Sequence, residues 1–156
     1  MDKMLKFLII HCTATPEGMD VTPQQIINWH TKPKPFGRGW KQVGYSKLFL
    51  LDRNIHSFVV EDSDEFVDGW EITNGVSGIN NISRHICYVG GCDPPSGRAG
   101  KKMNPKDTRT AGQIDAMVSY INESKKEYPW VEIYGHYHFA AKACPSFDVE
   151  KFLIFI

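Results

Sequence analysis

At 156 residues, 42% apolar and 23% charged, the chain is long enough to bury one core and reads as a single globular domain over 1–156. Lysine plus arginine equals aspartate plus glutamate, 18 against 18, so the formal net charge is zero and a broad electrostatic grip on nucleic acid or an anionic membrane is not expected. No apolar run approaches the roughly 18 residues of a membrane span. Phe7-Leu8-Ile9-Ile10 is too short for the core of a signal peptide, so the chain is expected to stay in the cytoplasm as synthesised unless another system exports it.

Taken in order, Phe7 to Cys12 predicts a buried strand, a short β-rich run ahead of a Thr/Pro/Gly segment. Strand side chains alternate, which puts His11 and Cys12 on opposite faces. Thr22-Pro23-Gln24-Gln25 starts a helix, with Thr as N-cap, Pro at the first helical position and Gln three residues on. Ile26, Ile27 and His30 then share a face. Lys32 to Gly39 breaks the helix as a loop whose Lys and Arg either touch a carboxylate-bearing substrate or are simply solvated. Ser46 to Leu51 and Ile55 to Val60 read as a hairpin about Asp52-Arg53-Asn54, with Tyr45 at its entrance.

The acidic run Glu61 to Asp68 is expected as a solvated face, and residues 73–81, rich in Gly and Asn, as irregular chain. His85 to Val89 predicts another buried strand, ending at Gly90-Gly91. Asp93 to Arg109 reads as a long mobile surface loop. Thr110 to Gln113 forms a second capping box, and Ile114, Met117, Val118 and Ile121 recur at helical spacing to about Tyr128, before Pro129. Val131 to Gly135 is the last strand, and Asp148 to Phe155 a short closing helix capped by Ser146 or Asp148. Strands alternating with helices imply an α/β fold, a mixed central β-sheet flanked by helices.

The densest chemistry lies in Gly135 to Asp148, which holds His136, His138, Lys142 and Cys144 in a chain with six His and four Cys. Imidazole nitrogen and thiolate sulfur are the donors zinc prefers. His11, at the end of the first buried strand, supplies a third candidate. Two His and one Cys leave the fourth tetrahedral position open, the mark of a catalytic site. Such a site lowers the pKa of a coordinated water to roughly 7 and suits hydrolysis of an amide. Residue pattern does not choose between His136 and His138, which share strand parity. Lys142, two residues before Cys144, is close enough in the chain to reach over the metal. His30, His56 and His85 read as structural or surface residues. The thiols suit a reducing compartment, with Cys12 and Cys87 as small core residues.

Ile10-His11-Cys12-Thr13-Ala14-Thr15, Trp29-His30, Val43-Gly44-Tyr45, Ile86 through Gly91, Asp107-Thr108-Arg109-Thr110 with Gln113, and Gly135-His136 through Asp148 follow one another over nearly the whole chain. In these pieces the chain resembles the zinc-dependent N-acetylmuramoyl-L-alanine amidases of the peptidoglycan recognition protein superfamily, and most closely the short phage lysozyme-type amidases. The resemblance implies Zn2+ held by His11, His136 and Cys144, with Tyr45 and Lys142 as the non-ligand catalytic residues. It selects His136 because the family's ligand directly follows Gly and precedes Cys by eight residues. His138 is then expected to line the groove or to orient a ligand.

The resemblance further implies peptidoglycan as the partner, a monomer, and cleavage of the amide between N-acetylmuramic acid and the L-alanine of the stem peptide. Two positions depart from the pattern. Many relatives have His after the Gly-Tyr pair, where this chain has Ser46, and many have His ahead of the Gly-x-Asn turn, where it has Gly75. Both fall near the expected groove, so the stem-peptide preference is left open. The superfamily also contains non-catalytic peptidoglycan-binding modules, which typically lose the Cys ligand; Cys144 favours the enzyme. A cysteine hydrolase built on Cys144 leaves His11 without a role, and Pro145 gives no helix N-terminus to lower the thiol pKa.

Overall fold

The computed structural model describes residues 2–94 and 103–156. Along the chain come β1 (Lys3–Met4), β2 (Phe7–Cys12), β3 (Thr15–Pro16), α1 (Pro23–Thr31), β4 (Lys47–Phe49), β5 (Ile55–Ser57), β6 (Phe66–Val67), β7 (Ser83–Tyr88), β8 (Gly91–Cys92), α2 (Ala111–Glu127), β9 (Glu132–Gly135) and α3 (Val149–Ile154). Five strands make the central sheet in the order β5-β4-β7-β2-β9. β2 runs parallel to β7 and β9, β4 runs parallel to β7, and only β5 is antiparallel to its neighbour. The sheet is therefore mixed, with helices on both faces.

The two central strands are buried along almost their whole length, as parallel strands covered on both sides must be. Side-chain alternation divides them between two cores. Leu8, Ile10, Cys12, Ile86, Tyr88 and Phe49 pack under α2 and α3 against Met117, Ile121 and Val149. On the other face Leu48, Cys87 and Val89 meet Val21 and Ile26, the latter from α1.

Both predicted capping boxes form, Thr22 with Gln25 and Thr110 with Gln113. Met117 and Ile121 are wholly buried, which stabilises by about 1.5–3 kcal/mol each, against about 1 kcal/mol for a cap. Packing therefore holds α2, and the cap sets where it begins. The Gln113 amide also donates to the carbonyls of Phe49 (3.1 Å) and Val89 (2.9 Å), pinning the start of α2 to the ends of β4 and β7.

Three expectations change. The acidic segment 61–68 is not simply solvated: Phe66–Val67 pairs with β1, Asp68 is buried, and Glu61 accepts from the Tyr120 hydroxyl and faces Arg84. A local count of charges cannot see partners that arrive from β7 and α2. The hairpin of β4 and β5 is shorter than its β-rich sequence suggests, because the chain turns away at Leu50 and again after Ser57. The proposed loop 93–109 has residues 95–102 outside the described ones, but its flanks are tied down. Asp93 N–H donates to the Asn104 carbonyl (2.9 Å), Lys106 N–H to that of Gly91 (2.9 Å), and Thr108 Oγ1 accepts from Gly91 N–H (2.8 Å).

Candidate metal centre and cleft

His11 sits one residue before the end of β2, on the face opposite the Leu8-Ile10-Cys12 core. β9 ends at Gly135, and His136 opens a single 3₁₀ turn over His136–His138. Glycine is required at 135: an added Cβ would lie 2.7 Å from the Tyr137 ring and 2.9 Å from Pro145. The loop that carries Cys144 is held from three sides. Tyr137 N–H donates to the Cys144 carbonyl (2.9 Å), and the Tyr88 hydroxyl donates to the Pro145 carbonyl (2.6 Å). The Arg109 guanidinium lies 3.5 Å from the centre of the Phe147 ring and pairs with Asp107. The sequence pieces that carried the resemblance are thus largely the site and its supports.

The elements bring one donor atom each of His11, His136 and Cys144 to within 4.8 Å of one another. Nδ1 of His11 and Nδ1 of His136 are 3.1 Å apart. The backbone N–H of Cys12 donates to Cys144 Sγ at 3.2 Å, a contact that favours the thiolate.

The electrostatics fit a cation. Burial, and then the like charges of His85, His136 and Lys142, hold the His11 imidazole well below its ordinary pKa. Burial and then Lys142 lower that of His136 as well. Both rings are therefore neutral at pH 7, the form a metal needs. The Cys12 thiol is a neighbour of the Cys144 thiol, so ionising one hinders ionising the other. This partner, and then burial, hold the Cys144 thiol well above its usual range. A bound cation reverses that balance, because it interacts with the thiolate directly. Cys12 itself stays outside the donor group, its thiol also near Ser146 Oγ (3.8 Å), as strand alternation predicted.

An open cleft of about 590 Å³ runs over the donors, lined among others by His11, His136, Tyr45, Lys142, Trp40 and Arg38. Tyr45 sits between histidines, its ring 5.3 Å from that of His11 and tilted to it, and 5.1 Å from that of His30, edge to face. Burial, and then the neighbouring Cys87, push its phenol well above the ordinary value, so it remains a hydrogen-bond donor at neutral pH. His30 fixes the turn before it: Nδ1 accepts from Gly44 N–H at 2.9 Å, and the ring packs 4.9 Å from Trp40. Lys142 is exposed on the cleft wall.

The structure chooses between the two histidines that residue pattern could not separate. The strand stops at Gly135, so strand parity no longer applies. His136 turns into the cleft, while His138 turns back, its Nδ1 accepting from Gly135 N–H at 3.0 Å and its ring stacked on Tyr137. His138 does not line the groove; it caps the turn beside His136. His56 lies on β5 against Phe58, away from the site. His85 is a different matter: it is wholly buried, with Nδ1 2.9 Å from Nε2 of His11. Sequence reasoning passed over it, although a histidine in an apolar strand paired with β2 carries a signal. In the register, His85 lies opposite Ile9 and so shares the face of His11.

A loop in 61–68 holds a second set of close donors, Asp62, Asp64 and Asp68. Two of them are engaged locally, Asp62 accepting from Asp64 N–H (3.3 Å) and Asp64 from Phe66 N–H (2.9 Å).

Two imidazoles and a thiol converge at the head of a cleft on an α/β sheet, a group that could hold a metal ion, with a phenol and an ammonium lining the same cleft. The family model described as N-acetylmuramoyl-L-alanine amidase matches residues 1–147. An endolysin of Enterobacteria phage K11 is 31% identical over 144 residues, covering 92% of this chain and 82% of that protein. In fold, the Ph2119 endolysin of the Thermus scotoductus MAT2119 bacteriophage matches with a TM-score of 0.69 at 20% identity, over 97% of this chain and 84% of that one. The N-acetylmuramoyl-L-alanine amidase LysC from Clostridium intestinale URNW gives 0.69 at 18% identity, over 96% and 83%. The chain belongs to the N-acetylmuramoyl-L-alanine amidase family. It is an enzyme of peptidoglycan hydrolysis.

Proposed function

We propose that this amidase works with zinc held by His11, His136 and Cys144, and that Tyr45 and Lys142 are its catalytic residues. The reaction is hydrolysis of the amide between N-acetylmuramic acid and the L-alanine of the stem peptide. The observation that carries the zinc reading is the convergence of one thiol and two neutral imidazoles at the head of a cleft wide enough for a peptide.

Bound there, zinc supplies Lewis acidity, polarising a carbonyl and lowering the pKa of water. The protein supplies the rest. Lys142 lines the same cleft as both imidazoles, which supports a role for its ammonium in stabilising the carbonyl oxygen as charge builds there. Tyr45, a protonated phenol that lines the same cleft, offers a hydrogen bond. Arg38 and Trp40 also line the cleft, which favours the first of the two readings of the 32–39 loop, that its basic residues touch the substrate. Every proposed group comes from one chain, so a monomer suffices, and the domain reaches the wall from the cytoplasm through another system.

Two measurements test this. Purified protein should carry about one zinc per chain, and chelation should abolish wall digestion that added zinc restores. Digested walls should gain free L-alanine amino termini and no reducing sugars. Full activity from verified metal-free protein overturns the zinc reading, and new reducing ends without new amino termini overturn the amide specificity.

A further inference from the structure

His85 and its surroundings are absorbed by none of the roles above. Its Nδ1 is 2.9 Å from His11 Nε2, and its Nε2 is 2.9 Å from Asn80 Oδ1. Asn80 Oδ1 also accepts the backbone N–H of Val76 at 2.9 Å. These contacts determine each proton in turn. A backbone N–H can only donate, so the Asn80 atom facing it is the carbonyl oxygen. An oxygen can only accept, so His85 carries its proton on Nε2. A neutral His85 then presents a bare Nδ1, which obliges His11 to donate from Nε2. His11 is left with its lone pair on Nδ1, the nitrogen that faces Nδ1 of His136 at 3.1 Å.

The room for His85 comes from the neighbouring loop. A Cβ on Gly75 would lie 2.2 Å from both Cγ and Nδ1 of the His85 ring and 2.6 Å from Cδ2. No side chain of any kind fits at 75 while the imidazole stands where it does. The glycine that departs from the family pattern therefore has a physical reason on the adjacent strand.

From this geometry we infer that His85 is a positioning residue which locks His11 into its metal-binding tautomer and orientation, and that Gly75 is glycine in order to admit it. The inference rests on the zinc reading of His11. Outer partners of this kind typically change metal affinity by 10- to 100-fold when removed.

The test measures zinc affinity by competition with a chromogenic chelator, together with the absorption spectrum of the cobalt-substituted protein, in the parent and four variants. His85→Leu fills a similar volume without hydrogen bonds and should weaken zinc binding roughly 10- to 100-fold and shift the cobalt spectrum. His85→Gln can still accept from His11 and donate to Asn80, and should recover most of that loss. Gly75→Ala, which displaces the ring, should reproduce the His85→Leu loss, and it keeps the question answerable if His85→Leu does not fold. The double variant Gly75→Ala/His85→Leu should be little worse than either single one, because both remove one contact. If the parent binds zinc and His85→Leu and Gly75→Ala bind it as tightly, the inference fails alone. If His85→Leu and His85→Gln are equally impaired, shape rather than hydrogen bonding is at work and it fails likewise. A parent that binds no zinc overturns the metal reading and this inference with it.

Discussion

Arg84 and His85 are neighbours on β7 and face opposite sides of the sheet, and each is the centre of a buried polar cluster. Around Arg84 the charges close on themselves. Its guanidinium meets Glu71 (3.3 Å) and Glu61 (3.9 Å), Lys47 approaches Glu61 (3.9 Å), and Glu61 also accepts from the Tyr120 hydroxyl. Glu71 takes two backbone N–H groups besides, those of Asp62 (3.1 Å) and Asp68 (2.8 Å). Two cations face two anions, so the charges offset each other. On the other side His11, His85 and His136 gather with Lys142, and the charges bearing on His11 are all of one sign. That cluster supplies lone pairs and opens on a cleft. A cluster whose opposite charges offset each other is architecture, whereas one whose members hinder each other's charged forms suits completion from outside, here by the proposed zinc.

The sharpest way to separate the two clusters is to delete a ligand. His11→Ala, His136→Ala or Cys144→Ala should each lose zinc and fall to the activity of the chelated protein, because a two-ligand site holds the metal poorly. Metal content and amino-terminus release on the same samples check this, and any variant that keeps both is not a ligand.

Next in size, Lys142→Ala and Tyr45→Phe should keep the metal and the fold but lose roughly 100- to 1000-fold in turnover, about 3–4 kcal/mol. Wall binding should change far less, since the contact is strongest in the transition state. Loss of zinc from Lys142→Ala, or turnover within a few-fold of the parent for both, would reassign the roles.

Breaking the closed cluster should do the reverse. Glu71→Ala takes from the buried Arg84 guanidinium its nearer carboxylate and leaves only Glu61 at 3.9 Å, which should lower unfolding free energy by about 3–5 kcal/mol. Zinc content and turnover per folded molecule should stay at parental levels. Denaturant melts paired with single-point rates decide it, and a parental melting curve would remove the contrast drawn here.

The smallest effect is in pH. Burial, and then the charge of Arg38, bring His30 down to about 4. Above the ordinary histidine pKa of about 6.5 the ring is neutral whether folded or unfolded and adds no pH dependence. Between there and about 4 only the unfolded chain takes up the proton, so the native state loses stability as pH falls through that window. His30→Gln should show a shallower decline than the parent between pH 7 and 4.5 in urea titrations; an equal slope means that His30 does not contribute it.

Much of this protein was legible in the chain itself. The buried strands at β2 and β7, both capping boxes, the spacing of Met117 and Ile121, and the donors His11 and Cys144 follow from local rules, because periodicity and capping depend on residues within a few positions of each other. What residue pattern without the resemblance could not settle were questions about partners far apart in the chain. His136 parts from His138 only because the strand ends at Gly135, and the acidic segment 61–68 changes character only because Arg84 and Tyr120 arrive from other elements. His85 reads as one more buried histidine until parallel pairing sets it diagonally from His11 and a glycine ten residues earlier leaves it room. Local sequence chooses the elements and the kinds of atom they carry. Register, strand ends and empty space, which decide which of those atoms meet, exist only once the chain has folded.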